Sequence, residues 1–296
     1  AISAFKPELF YTVQIGLDGF TAASERFKTK AAAEAVKQSC SVAIVQKAEC
    51  KEKTEKPPAL YDLTSLQREA NRVLGYTAQQ TLDYTQNLYE KKLCTYPRTD
   101  SRYLTSDMAE GLPVLVNLVA NAMPFRKGIA ISCDEALVIN DKKVTDHHAV
   151  IPTRNLHGAD LSGLPVGEKA VLELVALRLL CAVAPPYIYD ETSVTVDCTG
   201  AEFTAKGRTV KQPGWRALDA AYRAGLKNVE QDKEPEDKAL PELSEGQTLP
   251  LSGATVKEGK TTPPKHFTED TLLSAMETAG KDDMPEDAER KGLGTP

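Results

Sequence analysis

Two proline pairs divide this chain and limit what it can fold into. Pro57-Pro58 and Pro185-Pro186 remove backbone donors and oppose helix continuation at two widely separated points. Between them the texture is helical. Thr64-Ser65-Leu66-Gln67 and Thr77-Ala78-Gln79-Gln80 both match capping boxes. Leu82, Thr85, Leu88, Tyr89 and Leu93 lie on one helical face. Thr105 or Ser106 is placed to cap a third helix through about Val119. Val166 to Val183 reads as a strongly apolar helix that the second proline pair stops.

Outside the proline pairs the texture is β. Residues 9–15 and 42–48 are β-branched and partly alternating, as strands are. Thr29 precedes a short helix over 30–36 as its cap. Lys51 to Pro58 is a charged stretch ending in prolines, a domain boundary by composition. Tyr187 to Cys198 alternates at Val194, Val196 and Cys198, Glu202 to Val210 continues a meander, and Leu249 to Val256 offers a last strand. Asn228 to Asp237 is acidic and lacks large apolar residues, which predicts a mobile loop. Helix returns from Phe267, with Thr268 as N-cap. The expected fold is mixed α and β and multidomain. Residues 1–57 and 187–258 make one β-rich unit, residues 58–186 interrupt it as a mainly helical domain, and residues 259–296 begin a further helical piece.

Composition excludes several classes. No apolar stretch approaches the roughly 20 residues that span a bilayer, and no signal-peptide pattern opens the chain. The six cysteines are scattered without Cys-x-x-Cys spacing, which gives no zinc ribbon and suits a reducing cytoplasm. The net charge of −6 argues against a wholly basic nucleic-acid glove but leaves room for a local basic path. The chain starts with Ala and stops inside a turn-rich motif, so it reads as a piece of a longer polypeptide.

The run from Leu93 to Leu104, Leu-Cys-Thr-Tyr-Pro-Arg-Thr-Asp-Ser-Arg-Tyr-Leu, concentrates chemistry. Pro97 biases Tyr96 toward an extended conformation, in which residues i and i+2 share a side. Tyr96 and Arg98 are thus expected to project together. A free phenol, with a pKa of about 10, is a weak nucleophile at neutral pH. A guanidinium beside it stabilises the phenolate and grips phosphate oxygens by paired hydrogen bonds. Two acids and four bases lie nearby (Glu90, Asp100; Lys91, Lys92, Arg98, Arg102), a local excess of +2.

This run resembles the active-site segment of type IA DNA topoisomerases, in the form of the topoisomerase III branch. Further pieces stand in the family's order: Pro57 to Leu63, Leu66 to Ala70, Leu74 to Leu82, Gln86 to Glu90, Asp146 to Thr153, Thr262 to Glu269 and Gly292 to Pro296. The resemblance implies a β-rich arch (domain II) that carries a helical tyrosine domain (domain III), with domain IV starting after it. It implies Tyr96 as the nucleophile, Arg98 beside the scissile phosphate and His147 as a phosphate-binding or proton-relay residue. His148 is read as structural. Thr99, Asp100 and Arg102 shape the loop or contact DNA, and Gly294 and Thr295 begin a motif near the single-strand path. The implied substrate is single-stranded DNA, with duplex DNA passing through a central hole and a helicase as partner. The implied cofactor is Mg²⁺ without ATP, and the implied location is the nucleoid. The family's metal-binding Toprim domain has no match here, neither its glutamate nor its Asp-x-Asp pair. No metal site is therefore expected in these residues, nor DNA relaxation by them alone.

Three rivals stand beside this. Asp146-His147-His148 prompts a two-metal phosphoesterase, but the chain has four histidines and no supporting Asp cluster. A non-catalytic single-strand-binding module predicts salt-sensitive binding without a covalent adduct. In the third, the chain is a scaffold and Tyr96-Pro97-Arg98 a turn.

Overall fold

The β segments read at both ends of the chain meet in one sheet. The computed structural model describes residues 2–226 and 238–279. The strands are β1 (Leu9–Leu17), β2 (Phe20–Ser24), β3 (Val42–Glu55), β4 (Tyr187–Cys198), β5 (Ala201–Gln212), β6 (Thr248–Pro250) and β7 (Gly253–Lys260). They form a seven-stranded sheet in the order β6-β3-β4-β5-β2-β1-β7. β1 runs antiparallel to β2 and β7, β5 to β2 and β4, and β3 to β6. The two edge strands are consecutive in sequence, joined only through Leu251 and Ser252. A link that short forces the sheet to curl until its edges approach each other.

Val13, Ile15, Val45, Val194, Val196 and Phe203 are all at most 1 % exposed, and they alternate with exposed or half-buried neighbours. One face of the sheet thus holds this core. Helix α1 (Lys30–Ser39) packs on β1 and β7, burying Ala33, and the Thr29 hydroxyl accepts from the Ala32 amide as a cap.

The helical unit contains α2 (Leu63–Leu74), α3 (Ala78–Glu90), α4 (Leu112–Ala122), α5 (Val166–Ala182), α6 (Arg216–Gly225) and α7 (Glu269–Thr278). α5 buries residues on nearly every side, among them Val171, Leu172, Leu174, Val175, Leu177, Leu179 and Leu180, so it runs through the middle of this unit's core. Gly75 ends α2 at φ +72°, the left-handed geometry that glycine adopts without penalty. After the second proline pair, Gly214 sits where a Cβ would lie 2.2 Å from the Pro186 carbonyl oxygen, and the Trp215 amide donates to Pro185.

Contacts divide the described chain into residues 2–54, 188–212 and 238–266 as one unit, and 55–187, 213–226 and 267–279 as the other. Residues 213–226 and 267–279 thus join the helices, where the sequence reading set them with the sheet and with a separate piece.

Several local expectations need correction. α2 is capped by Asp62 with Ser65, not by Thr64 with Gln67. The Asp62 carboxylate accepts from the Ser65 amide at 2.7 Å, and an anion at a helix N-terminus outcompetes a hydroxyl two residues on. Thr105 makes no capping bond. Ser106 to Met108 is a single 3₁₀ turn held by Asp141, and α4 begins only at Leu112, with Pro113 in its first turn. β3 runs through the charged stretch to Glu55. The strand expected over 249–256 is two strands on opposite sheet edges. β2 and α6 were not anticipated. The acidic segment 228–237, together with Gly294 and Thr295, lies outside the described residues.

Candidate active site

The tyrosine loop leaves the C-terminal end of α3. Lys91 is the C-cap, and Lys92 takes φ +60°, a left-handed turn unusual for a side-chain-bearing residue. The Lys92 carbonyl accepts from the Thr153 hydroxyl and from Asn155 Nδ2, which fixes this turn against the segment that carries His147 and His148. The Lys91 ammonium pairs with the buried Glu168 carboxylate at the start of α5.

From there the loop zips onto residues 149–153. Thr153 N–H donates to Leu93 O and Thr95 N–H to Ile151 O, both at 2.9 Å. The Thr95 hydroxyl donates to Ala149 O at 3.1 Å and accepts from Ile151 N–H at 3.0 Å. Farther along, Ala149 N–H donates to Tyr103 O and Val150 N–H to Tyr61 O. Leu93, Cys94, Ala149, Val150 and Ile151 are buried, so apolar packing holds the zip from beneath.

This zip brings Tyr96 and His147 together. Their ring centroids lie 4.4 Å apart with the planes tilted by 45°. Tyr96 is half-buried and His147 exposed. Tyr89 meets the Tyr96 ring edge-to-face at 5.4 Å. Burial alternates from Pro97 to Asp100, with Pro97 and Thr99 buried and Arg98 and Asp100 exposed. A hydrogen bond from Thr99 N–H to Pro97 O bends the chain at Arg98. Arg98 is thereby presented to solvent, and among the described residues it makes no hydrogen bond or ion pair.

Thr99 is 4 % exposed, and its hydroxyl donates to the His147 carbonyl at 2.8 Å while accepting from Ser101 N–H at 3.1 Å. Arg102 donates from Nε to Leu60 O at 3.1 Å. These contacts make both residues staples of the loop. Asp100 accepts from the Thr145 hydroxyl at 3.4 Å and is exposed. His148 is half-buried, its Nδ1 2.8 Å from the Ala149 carbonyl oxygen. Sequence reasoning passed over two neighbours. Tyr89 was read only as part of a helical face. Lys143 is tied in by its carbonyl, which accepts from Ser101 Oγ at 2.8 Å, and its ammonium sits 4.8 Å from the Tyr103 ring centroid.

A phenol, an imidazole and an unpaired guanidinium on one pinned loop system can receive a phosphate: the first as nucleophile, the others as charge and proton partners. Among the described residues no three His, Cys, Asp or Glu side chains gather so as to hold a metal ion. The described residues by themselves therefore offer no such cluster for Mg²⁺ or for the two-metal centre that Asp146-His147-His148 would require.

Comparison with known proteins identifies the family of the chain. The profile of a family described as DNA topoisomerase matches residues 1–296. DNA topoisomerase 3 of Bacillus subtilis strain 168 is 38 % identical over 294 residues, covering 93 % of this chain and 39 % of that protein. DNA topoisomerase 3 of Shouchella clausii is 38 % identical over 296 residues, covering 94 % and 39 %. The chain thus spans about two-fifths of the length of these relatives. Full-length topoisomerase I from Thermotoga maritima shares the fold, with a TM-score of 0.71 at 21 % identity over 94 % of this chain and 45 % of that one. The chain belongs to the DNA topoisomerase family, as a type IA member of the topoisomerase III kind.

Proposed function

We propose that this chain carries the strand-cleaving tyrosine of a type IA topoisomerase. The observation that supports it most is the packing of Tyr96 on His147, in a loop zipped to residues 149–153, with Arg98 two residues on exposed to solvent. In the reaction, Tyr96 Oη bonds to a backbone phosphorus of single-stranded DNA and the P–O3′ bond breaks. The phenol proton departs, by way of His147 or water, and the leaving O3′ takes up a proton. The product is a 5′-phosphotyrosyl link and a free 3′-hydroxyl. The link keeps the phosphodiester's bond type, so attack by the 3′-hydroxyl reverses the step without ATP. Arg98 grips the scissile phosphate and offsets charge in the transition state. Asp100 and Arg102, with Gly294 and Thr295, are assigned to loop shaping and DNA contact.

Mg²⁺ would serve the reaction from carboxylates outside the described residues. Residues 1–57 and 187–258 are assigned to the arch, except that 213–226 cluster with the helices, 58–186 to the tyrosine domain and 259–296 to the start of the base, of which 267–279 also cluster with the helices. The substrate is DNA with single-stranded regions, and the task is relaxation or decatenation in the cytoplasm at the nucleoid, with a helicase as partner. Among the described residues no helix is long and apolar enough to cross a membrane.

The test mixes the chain with a labelled single-stranded oligonucleotide and Mg²⁺, with and without a Toprim-bearing portion. A denaturant-resistant adduct only in the complete mixture, abolished by Tyr96→Phe, supports the proposal. Salt-sensitive binding with no adduct in any mixture leaves a binding module instead.

A further inference from the structure

Among the described residues the Tyr96 ring has two aromatic neighbours, of which one sits on a helix. Tyr89 occupies the last turn of α3, with its ring edge-to-face to Tyr96 at an interplanar angle of 77°. The end of α3 is fixed to α5: Asn87 Nδ2 donates to Glu168 Oε1 at 3.1 Å, Lys91 pairs with the same carboxylate, and Tyr84 lies against Gly167 so closely that a Cβ there would clash. Tyr96 and His147, by contrast, both project from loops. Among the described residues the Tyr89 hydroxyl makes no hydrogen bond. The contact with Tyr96 is therefore a property of the ring.

We propose that Tyr89 is a positioning residue for Tyr96: its ring, not its hydroxyl, holds the nucleophile's ring against His147. This rests on Tyr96 being the nucleophile. An edge-to-face neighbour restrains the swing of the Tyr96 side chain about its Cα–Cβ bond and hence the position of Oη. Small misplacements of a reacting atom slow the chemical step far more than they weaken binding.

Two measurements test it. In the 296-residue chain with labelled Tyr and His rings, the nuclear Overhauser contact between Tyr96 and His147 should persist in Tyr89→Phe and vanish in Tyr89→Leu. Tyr89 is 40 % exposed, so Tyr89→Leu should melt within a few degrees of the parent. In a preparation forming the Tyr96-dependent adduct, Tyr89→Leu should slow cleavage at saturating DNA by roughly tenfold. The half-saturating DNA concentration should change less than about twofold, and Tyr89→Phe should match the parent. Retention of the ring contact in Tyr89→Leu overturns the proposal. So does a loss shared by Tyr89→Phe, or an effect confined to the half-saturating concentration, which would mark Tyr89 as a base-stacking residue. An adduct that survives Tyr96→Phe would instead sink the functional reading, and the spectroscopic arm would still judge the packing.

Discussion

Replacing Thr99 by Val removes one hydroxyl and almost no volume, yet it strips partners from two backbone groups. The His147 carbonyl loses its donor at 2.8 Å and the Ser101 amide its acceptor at 3.1 Å. Ser101 is 4 % exposed, so water does not readily replace that partner. A buried group left unpaired costs about 1–3 kcal/mol. The His147 carbonyl is less deeply placed and falls at the low end, so the sum is about 2–4 kcal/mol. Thr99→Ser keeps both bonds and loses one methyl, about 1 kcal/mol. The assay is urea unfolding followed by fluorescence of Trp215, the chain's single tryptophan, which lies in the helical unit. The midpoint should fall with an unchanged slope. A Thr99→Val protein within about 0.5 kcal/mol of the parent, or a Thr99→Ser protein equally damaged, would refute the reasoning.

Other consequences follow from the same structure. Burial pushes the Glu69 carboxyl up, but the guanidinium groups of Arg72, Arg178 and Arg223 outweigh it and hold it below the usual carboxylate range. Its stabilising contribution is therefore complete above about pH 4.3 and is lost as pH falls through the lowered folded value. Glu69→Gln should be less stable than the parent at pH 7, and the difference should vanish once pH falls below the lowered folded value. Burial pushes the Cys94 and Cys181 thiols up to about 12, whereas Cys50 is exposed. Mass spectrometry after maleimide treatment at pH 8 should find Cys50 labelled in the native chain, and Cys94 and Cys181 labelled only after denaturation. Lys92 holds a left-handed turn at φ +60°. Lys92→Gly should leave melting unchanged or stabilise by up to about 1 kcal/mol, while Lys92→Val should destabilise by about 1–2 kcal/mol.

What the sequence showed and what it hid follow from the range of the forces involved. The caps at Thr29, Thr77 and Thr268 were legible because their acceptors reach amides three residues on, at Ala32, Gln80 and Thr271. The same local logic misplaced the start of α2, because Thr64-x-x-Gln67 mimics a box beside the stronger Asp62 cap. α6 left a signal in Leu218 and Tyr222, buried one turn apart, that a reading focused on β texture passed over. β6 and β7 merge when alternation alone is followed, because Pro250 and Ser252-Gly253, the breakers that flank Leu251, fall inside an otherwise alternating run. In the site, Tyr96 and Arg98 stand out from their run alone. His147 does not, because it follows Thr99 by 48 positions and reaches Tyr96 only through the backbone zip. Resemblance pointed to His147, and the structure sets its ring against that of Tyr96. Thr99 shows the reverse: a residue expected to shape the loop or touch DNA is buried and bonded to the backbone of His147.

The central claim is that Tyr96 takes the 5′ side of a broken strand, and the polarity of a covalent adduct tests it most directly. One oligonucleotide would be labelled at its 3′ end in one reaction and at its 5′ end in another, then cleaved by the complete mixture with Mg²⁺ and denatured. The 3′ label should travel with the protein, the 5′-labelled piece should be released with a free 3′-hydroxyl, and Tyr96→Phe should abolish both. A 5′ label carried by the protein, or an adduct that maps to another residue, would contradict it.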